Sequence, residues 1–89
     1  MTVKDRITAG LTAAFLPQHL NVIDESDQHR GHGGWREGGE THFRVEIVAQ
    51  AFSGKTRLQR HRMVNEVLAA ELADRVHALA IAAKAPEDA

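Results

Sequence analysis

The chain has 89 residues, 43 % of them hydrophobic, a formal net charge of −1 at pH 7 and no cysteine. This length provides for one compact domain around one core, and the missing cysteines exclude disulfides and any thiolate ligand from this chain. The near-neutral charge excludes an overall excess of positive charge for binding a nucleic-acid backbone, and no apolar run of about 20 residues is present to span a bilayer, so a soluble cytoplasmic protein is expected.

The first predicted element is an amphipathic helix over residues 2 to 15, whose apolar side chains recur at helical spacing. Thr2 and Asp5 are spaced as in a capping box. Pro17 ends the helix, because its ring removes a backbone donor and disfavours helical geometry in the preceding residue. A short apolar run over residues 20 to 23 then predicts the first strand.

The second strand has the clearest pattern, because apolar and polar residues alternate over residues 42 to 48. Phe43, Val45 and Ile47 are expected on its buried face. Between the two strands, residues 27 to 41 hold five of the seven glycines, two histidines and the only tryptophan. A loop of this length in a small domain is either functional or disordered.

A second helix is predicted over residues 56 to 73, and a third strand over residues 76 to 82 with His77 on its apolar face. A strand, helix, strand connection within one sheet makes its two strands parallel. The predicted fold class is therefore α/β in the α+β sense: helix, strand, strand, helix, strand, with a three-stranded mixed sheet and helices on one face. Residues 1 to 84 are assigned to the domain and residues 85 to 89 to a flexible C-terminal tail.

Several short motifs occur along the chain in an order and spacing that strongly resemble the BolA family, over roughly residues 3 to 84. The motifs are Asp24-Glu25-Ser26, Glu40-Thr41-His42-Phe43-Arg44-Val45, Phe52-x-Gly54-Lys55, Arg60-His61-Arg62-x-Val64, Glu71-Leu72 and Val76-His77-Ala78-Leu79. The resemblance implies a fold like the type II KH domain and an adaptor that partners a monothiol glutaredoxin through a shared [2Fe-2S] cluster. It also implies an alternative role, as a nucleic-acid-binding transcriptional regulator of stress response and cell morphology.

This chain has no thiolate, so the cluster ligands that it could supply are imidazole or carboxylate. Histidine is the expected donor, since imidazole replaces thiolate on one iron in Rieske-type centres. The resemblance implies His77 and one histidine of the loop. Counting forward from the Asp-Glu-Ser motif selects His29, whereas counting back from the Glu-Thr-His-Phe motif comes closer to His32, so both stay candidates and His29 is preferred. The structural alternatives are a buried His77 bonded to backbone and two solvent-exposed loop histidines.

A second candidate site is a basic run near the start of the second helix. Its members are Gly54, Lys55, Arg57, Arg60, His61 and Arg62. Cations at a helix N-terminus oppose the macrodipole, which suggests a use for the charge, such as binding the phosphates of DNA or RNA or an acidic partner surface. The alternative interpretation is a solvated helix face.

No catalytic site is predicted. Gly54 is preceded five positions earlier by Ala49, so the phosphate-binding loop motif fails, and residues 31 to 34 lack the strand-then-helix context of a dinucleotide fingerprint. No combination of nucleophile, general base and orienting group typical of a catalytic site stands out in the sequence. The isolated chain is expected to bind no cofactor and to be a monomer or a weak homodimer.

Overall fold

A computed structural model of the chain describes residues 2–26, 41–74 and 76–88. The helices are α1 (Val3–Phe15), α2 (Arg57–Val67) and α3 (Ala69–Ala73), and the strands are β1 (His19–Asp24), β2 (His42–Val48) and β3 (Ala78–Lys84). Two 3-10 turns lie at Gln50–Phe52 and Pro86–Asp88. Within these ranges no helix combines the length and the apolar character that crossing a bilayer requires.

The predicted start of α1 is confirmed. The Thr2 hydroxyl accepts the Asp5 N–H and the Asp5 carboxylate accepts the Thr2 N–H, both at 3.1 Å, which completes the capping box. The hydrogen bond from the Thr2 N–H, followed by one from the Thr2 side chain, lowers the pKa of the Asp5 carboxyl. The same arrangement at Thr56 and Gln59 begins α2.

The predicted second helix is wrong in one respect, because it is two helices. Leu68 has φ −99° and ψ 17°, outside the helical region, and separates α2 from α3. The Leu68 side chain is 1 % exposed and belongs to the core. Leucine and the alanines that follow it are good helix formers, so nothing in the local pattern marks this break.

The predicted mixed sheet is confirmed, with the order β1-β2-β3. The β1 and β2 strands are antiparallel and β2 and β3 are parallel, with Val45 opposite both Val22 and Ile81. The apolar side chains of this face pack with those of α1 and α2 in one core, whereas the other face carries exposed groups such as Arg44 and Ala80. The helices therefore cover one face only.

The predicted strand bounds agree most closely with the structure where apolar and polar residues alternate most regularly. The bounds of β2 match the prediction, and β1 extends one residue beyond it at each end. The predicted third strand is displaced, because the N–H groups of His77 and Ala78 both donate to the Thr41 carbonyl, at 2.7 and 3.2 Å. Two consecutive donors on one acceptor interrupt the ladder, so regular pairing begins only at Ala78.

The C-terminal residues also differ from the predicted flexible tail. Ala85 is fully buried. The turn Pro86–Asp88 that follows is hydrogen-bonded to α2 and to the segment that precedes α2. Arg60 Nη1 donates to Asp88 Oδ2 at 2.7 Å, and the Ser53 hydroxyl donates to the Glu87 carboxylate. Residues 85 to 88 are therefore part of the packed domain.

Candidate functional site

His77 lies immediately before β3, at the corner of the sheet where β2 and β3 begin. Its side chain is exposed, which excludes the structural alternative of a buried His77. Its backbone is fixed, because its N–H donates to the Thr41 carbonyl at 2.7 Å. His77 therefore presents an accessible imidazole on a constrained main chain.

Both ends of the predicted loop lie at this same corner. Ser26 is the last described residue before the loop and Thr41 the first after it, and the Ser26 hydroxyl accepts the Thr41 N–H at 2.9 Å. The hydroxyl also accepts the His42 N–H at 3.2 Å. Ser26 is 2 % and Thr41 0 % exposed, so these bonds are shielded from competing water.

His42, which the alternation of the second strand places on the polar face as a structural or surface residue, is buried at this corner. Its side chain is 5 % exposed, and its ring centroid lies 5.5 Å from that of His77. The Thr41 hydroxyl oxygen lies 2.9 Å from His42 Nδ1, within hydrogen-bond distance. The signal that could have found this pair is the parallel alignment of β2 with β3, because β2 begins at His42 and His77 directly precedes β3.

An open groove of about 410 Å³ adjoins this corner on the uncovered face of the sheet. One side is formed by the pair of Arg44 and Glu25, whose Nε and Oε2 atoms are 3.2 Å apart. Ala78 and Ala80 also line the groove, and their side chains are small. The groove therefore offers a partner the charged groups of Arg44 and Glu25.

The other predicted ligands, His29 and His32, lie outside the described residues. In the three described ranges, no group of three or more histidine, aspartate or glutamate side chains is placed to hold a metal ion. His77 is thus the one predicted ligand whose position is given.

The members of the basic run differ in their exposure to solvent. Lys55, Arg57 and Arg62 are exposed, and so is Gly54, whose φ of +76° forms the turn before α2. His61 is half-buried.

Arg60 differs from the exposed cations of the run because its guanidinium is hydrogen-bonded within the fold. Its Nε donates to the Lys55 carbonyl at 3.0 Å, and its Nη1 donates to the Ala83 carbonyl at 3.2 Å as well as to Asp88. These bonds use three of the five N–H donors of the guanidinium and hold the Arg60 side chain against the fold. Because Ala83 lies near the far end of β3, Arg60 contacts the strand about 20 Å from His77 along it, at 3.3 Å per residue.

The comparisons with known proteins agree on one family. The family model described as BolA-like protein matches residues 11–88. The chain is 46 % identical over 87 residues to an uncharacterised protein from the cobS 5′ region of a Sinorhizobium species, covering 97 % of this chain and 94 % of the relative. It is 44 % identical over 81 residues to the DNA-binding transcriptional regulator BolA of Escherichia coli, covering 91 % and 73 %.

A solved structure gives the same result. The BolA domain of SufE1 from Arabidopsis thaliana is similar to this chain with a TM-score of 0.90 and 40 % identity, over 100 % of this chain and 98 % of that one. Sequence and fold therefore point to the same group of proteins.

Proposed function

The chain belongs to the BolA family, and on this premise we propose that it is an adaptor that binds a monothiol glutaredoxin and shares a [2Fe-2S] cluster with it, in iron-sulfur and iron homeostasis. The observation that carries the proposal is the position of His77. It is an exposed imidazole on a fixed backbone, beside both ends of the segment that contains His29 and His32.

The donor set of this corner fits such a cluster. Imidazole is an established ligand of iron in [2Fe-2S] centres, where two histidines take the place of two thiolates on one iron. His77 and either His29 or His32 would occupy one iron, and the partner would supply the thiolates that this chain lacks. When bound, the cluster supplies a one-electron redox centre whose histidine side is sensitive to protonation.

The remaining residues of the corner have a supporting role. The bond from His77 to Thr41 limits the positions of the imidazole, and the Ser26 bond holds the two loop ends together. The groove beside Arg44 and Glu25 provides surface for a protein partner next to the ligand. Such preorganisation reduces the ordering cost of forming a shared site.

The test is a titration with cluster-loaded monothiol glutaredoxin, followed by visible absorption and circular dichroism. The wild-type chain should change both spectra, because replacing a ligand alters the electronic transitions of the cluster. His77→Ala should remove that change. Of His29→Ala and His32→Ala, the variant that behaves like His77→Ala identifies the loop ligand.

His19→Ala is the matched control, because His19 is an exposed histidine opposite Val48, at the other end of β2 from His77. It should leave the spectral change intact. An unchanged response in His77→Ala would show that His77 is not a ligand.

A second candidate function is DNA binding, supported by the name of the Escherichia coli relative and by the exposed cations Lys55, Arg57 and Arg62. These side chains lie on the turn before α2 and on its solvent side, where they can contact a phosphate backbone. The Lys55 carbonyl is bonded to Arg60, and Arg60 contacts Ala83 toward the end of β3 away from His77. The two functions can therefore coexist in one molecule.

This second function predicts salt-dependent binding to double-stranded DNA. Replacing Arg57 and Arg62 by glutamine should weaken binding to all sequences alike and reduce the salt slope by about one for each lost phosphate contact. Lys4→Gln, which removes a cation from α1, serves as the control and should bind like the wild type. If the wild-type chain does not bind DNA at low salt, this function is excluded.

A further inference from the structure

We infer that Ser26 is a positioning residue for the shared cluster, because its buried hydroxyl holds Thr41, whose carbonyl holds the main chain of His77. The inference rests on the proposed function, since the ligands that Ser26 positions are those proposed there. Ser26 itself would touch neither iron nor sulfide. It would act through Thr41.

Where the hydrogen-bonded ladder between β1 and β2 ends, the Ser26 hydroxyl takes the place of a backbone carbonyl as the acceptor. The last pair of the ladder is Asp24 with Phe43, and the Glu25 N–H still donates to the His42 carbonyl at 2.8 Å. Beyond it, Ser26 Oγ accepts two backbone N–H groups, those of Thr41 and His42. A hydroxyl oxygen has two lone pairs, so both are used in closing the loop.

Thr41 connects this closure to His77. Its N–H is bonded to Ser26 Oγ, and its carbonyl accepts the His77 N–H at 2.7 Å. One fully buried residue thus fixes the end of the loop and the main chain of the exposed imidazole. A displacement of Thr41 would move His77 together with the loop.

The side chains of the corner add a second connection. Thr41 Oγ1 is 2.9 Å from His42 Nδ1 and 3.4 Å from Ser26 Oγ, so its hydroxyl proton is better placed for the imidazole than for the serine. The His42 ring in turn lies against that of His77, which restricts the orientation of the exposed ring.

A hydrogen bond from its own backbone N–H holds Ser26 in place. Its N–H donates to Asp24 Oδ1 at 2.9 Å, a side-chain-to-backbone turn that aspartate commonly forms. This contact accounts for the spacing of aspartate and serine in the Asp24-Glu25-Ser26 motif, which the ligand assignment alone leaves unexplained.

The first arm of the test uses the free chain. In Ser26→Ala, amide hydrogen exchange at His77 and Thr41 should be about ten-fold faster, because two buried donors lose their acceptor and the corner opens locally. Exchange at the core residue Val45 should accelerate only by the factor that the loss of global stability in urea denaturation accounts for. Ser53→Ala is the matched control, since it removes a serine hydroxyl at the far end of the sheet and should leave the His77 rate as in the wild type.

The second arm uses the complex with cluster-loaded glutaredoxin. Ser26→Ala should alter the circular dichroism of the cluster and weaken the complex about 10- to 100-fold, as loss of an outer-shell partner does at other metal sites. Ser26→Thr, which keeps the hydroxyl, should restore both. If Ser26→Ala does not fold, Asp24→Ala removes the acceptor of the Ser26 N–H from an exposed position and should give a smaller change in the same direction.

The outcomes separate the two proposals. Wild-type spectra and affinity in Ser26→Ala, together with loss of both in His77→Ala, would overturn the positioning role and leave the adaptor function in place. Unaltered His77 exchange in Ser26→Ala would overturn the positioning role whatever the partner does. If His77→Ala forms the normal complex, both proposals fail.

Discussion

Phe52→Ala should lower the free energy of unfolding by about 3–5 kcal/mol, the usual cost of removing a fully buried phenylalanine side chain. Phe52 is 0 % exposed, and its ring centroid lies 5.0 Å from that of Phe15, so its loss leaves a cavity between α1 and the turn after β2. A domain of this size has a total stability of roughly 4–13 kcal/mol. The variant would therefore lose a large part of its stability.

The measurement is urea and thermal denaturation followed by far-ultraviolet circular dichroism. At about 4–8 °C per kcal/mol for a domain of this length, Tm should fall by at least about 12 °C. Leu16→Ala is the control, because Leu16 is 81 % exposed and should change stability by no more than about 0.5 kcal/mol. Equal losses in the two variants would contradict the packing described for Phe52.

Arg60→Met is expected to destabilise the chain by about 1.5–3 kcal/mol, the range for hydrogen bonds to a charged group. The Arg60 side chain is only 15 % exposed and donates to the carbonyls of Lys55 and Ala83, and methionine keeps its apolar stem. The estimate concerns these carbonyl bonds, since solvent screens the pairing with the more exposed Asp88.

The control for Arg60 is Arg57→Met, one turn earlier on the same helix. Arg57 is exposed, and its loss should change stability by about 0.5 kcal/mol or less in the same urea titration. If the two variants are equally stable, Arg60 is not a structural residue and belongs with the exposed basic surface instead.

Arg60→Met should also change how the stability of the chain depends on pH in acid. The Arg60 hydrogen bond lowers the pKa of the Asp88 carboxyl, and the Ser53 hydroxyl lowers that of Glu87. A carboxyl with a lowered pKa in the folded state stabilises the fold above its unfolded pKa and loses that contribution as the pH falls through the folded value. Wild-type stability should therefore decline below about pH 4.5, and Arg60→Met should decline less steeply.

Local sequence signals predicted most of the fold. The capping box at Thr2 begins α1, and period-two alternation gives the bounds of β2, because both depend on residues only a few positions apart. The mixed sheet followed from the chirality of its crossover. Local signals missed the break at Leu68, since burial of a side chain in the core does not alter helix propensity.

By itself, the sequence determined the family, the element order and the absence of a thiolate, which together direct attention to His77. Only the tertiary structure decided that His77 is exposed and that Arg60 is bonded within the fold. The physical reason is the range of the interactions: Ser26 and Thr41 are 15 residues apart, and Arg60 and Asp88 are 28 apart. Hydrogen bonds over such separations depend on strand register and packing, which no periodicity in the sequence reveals.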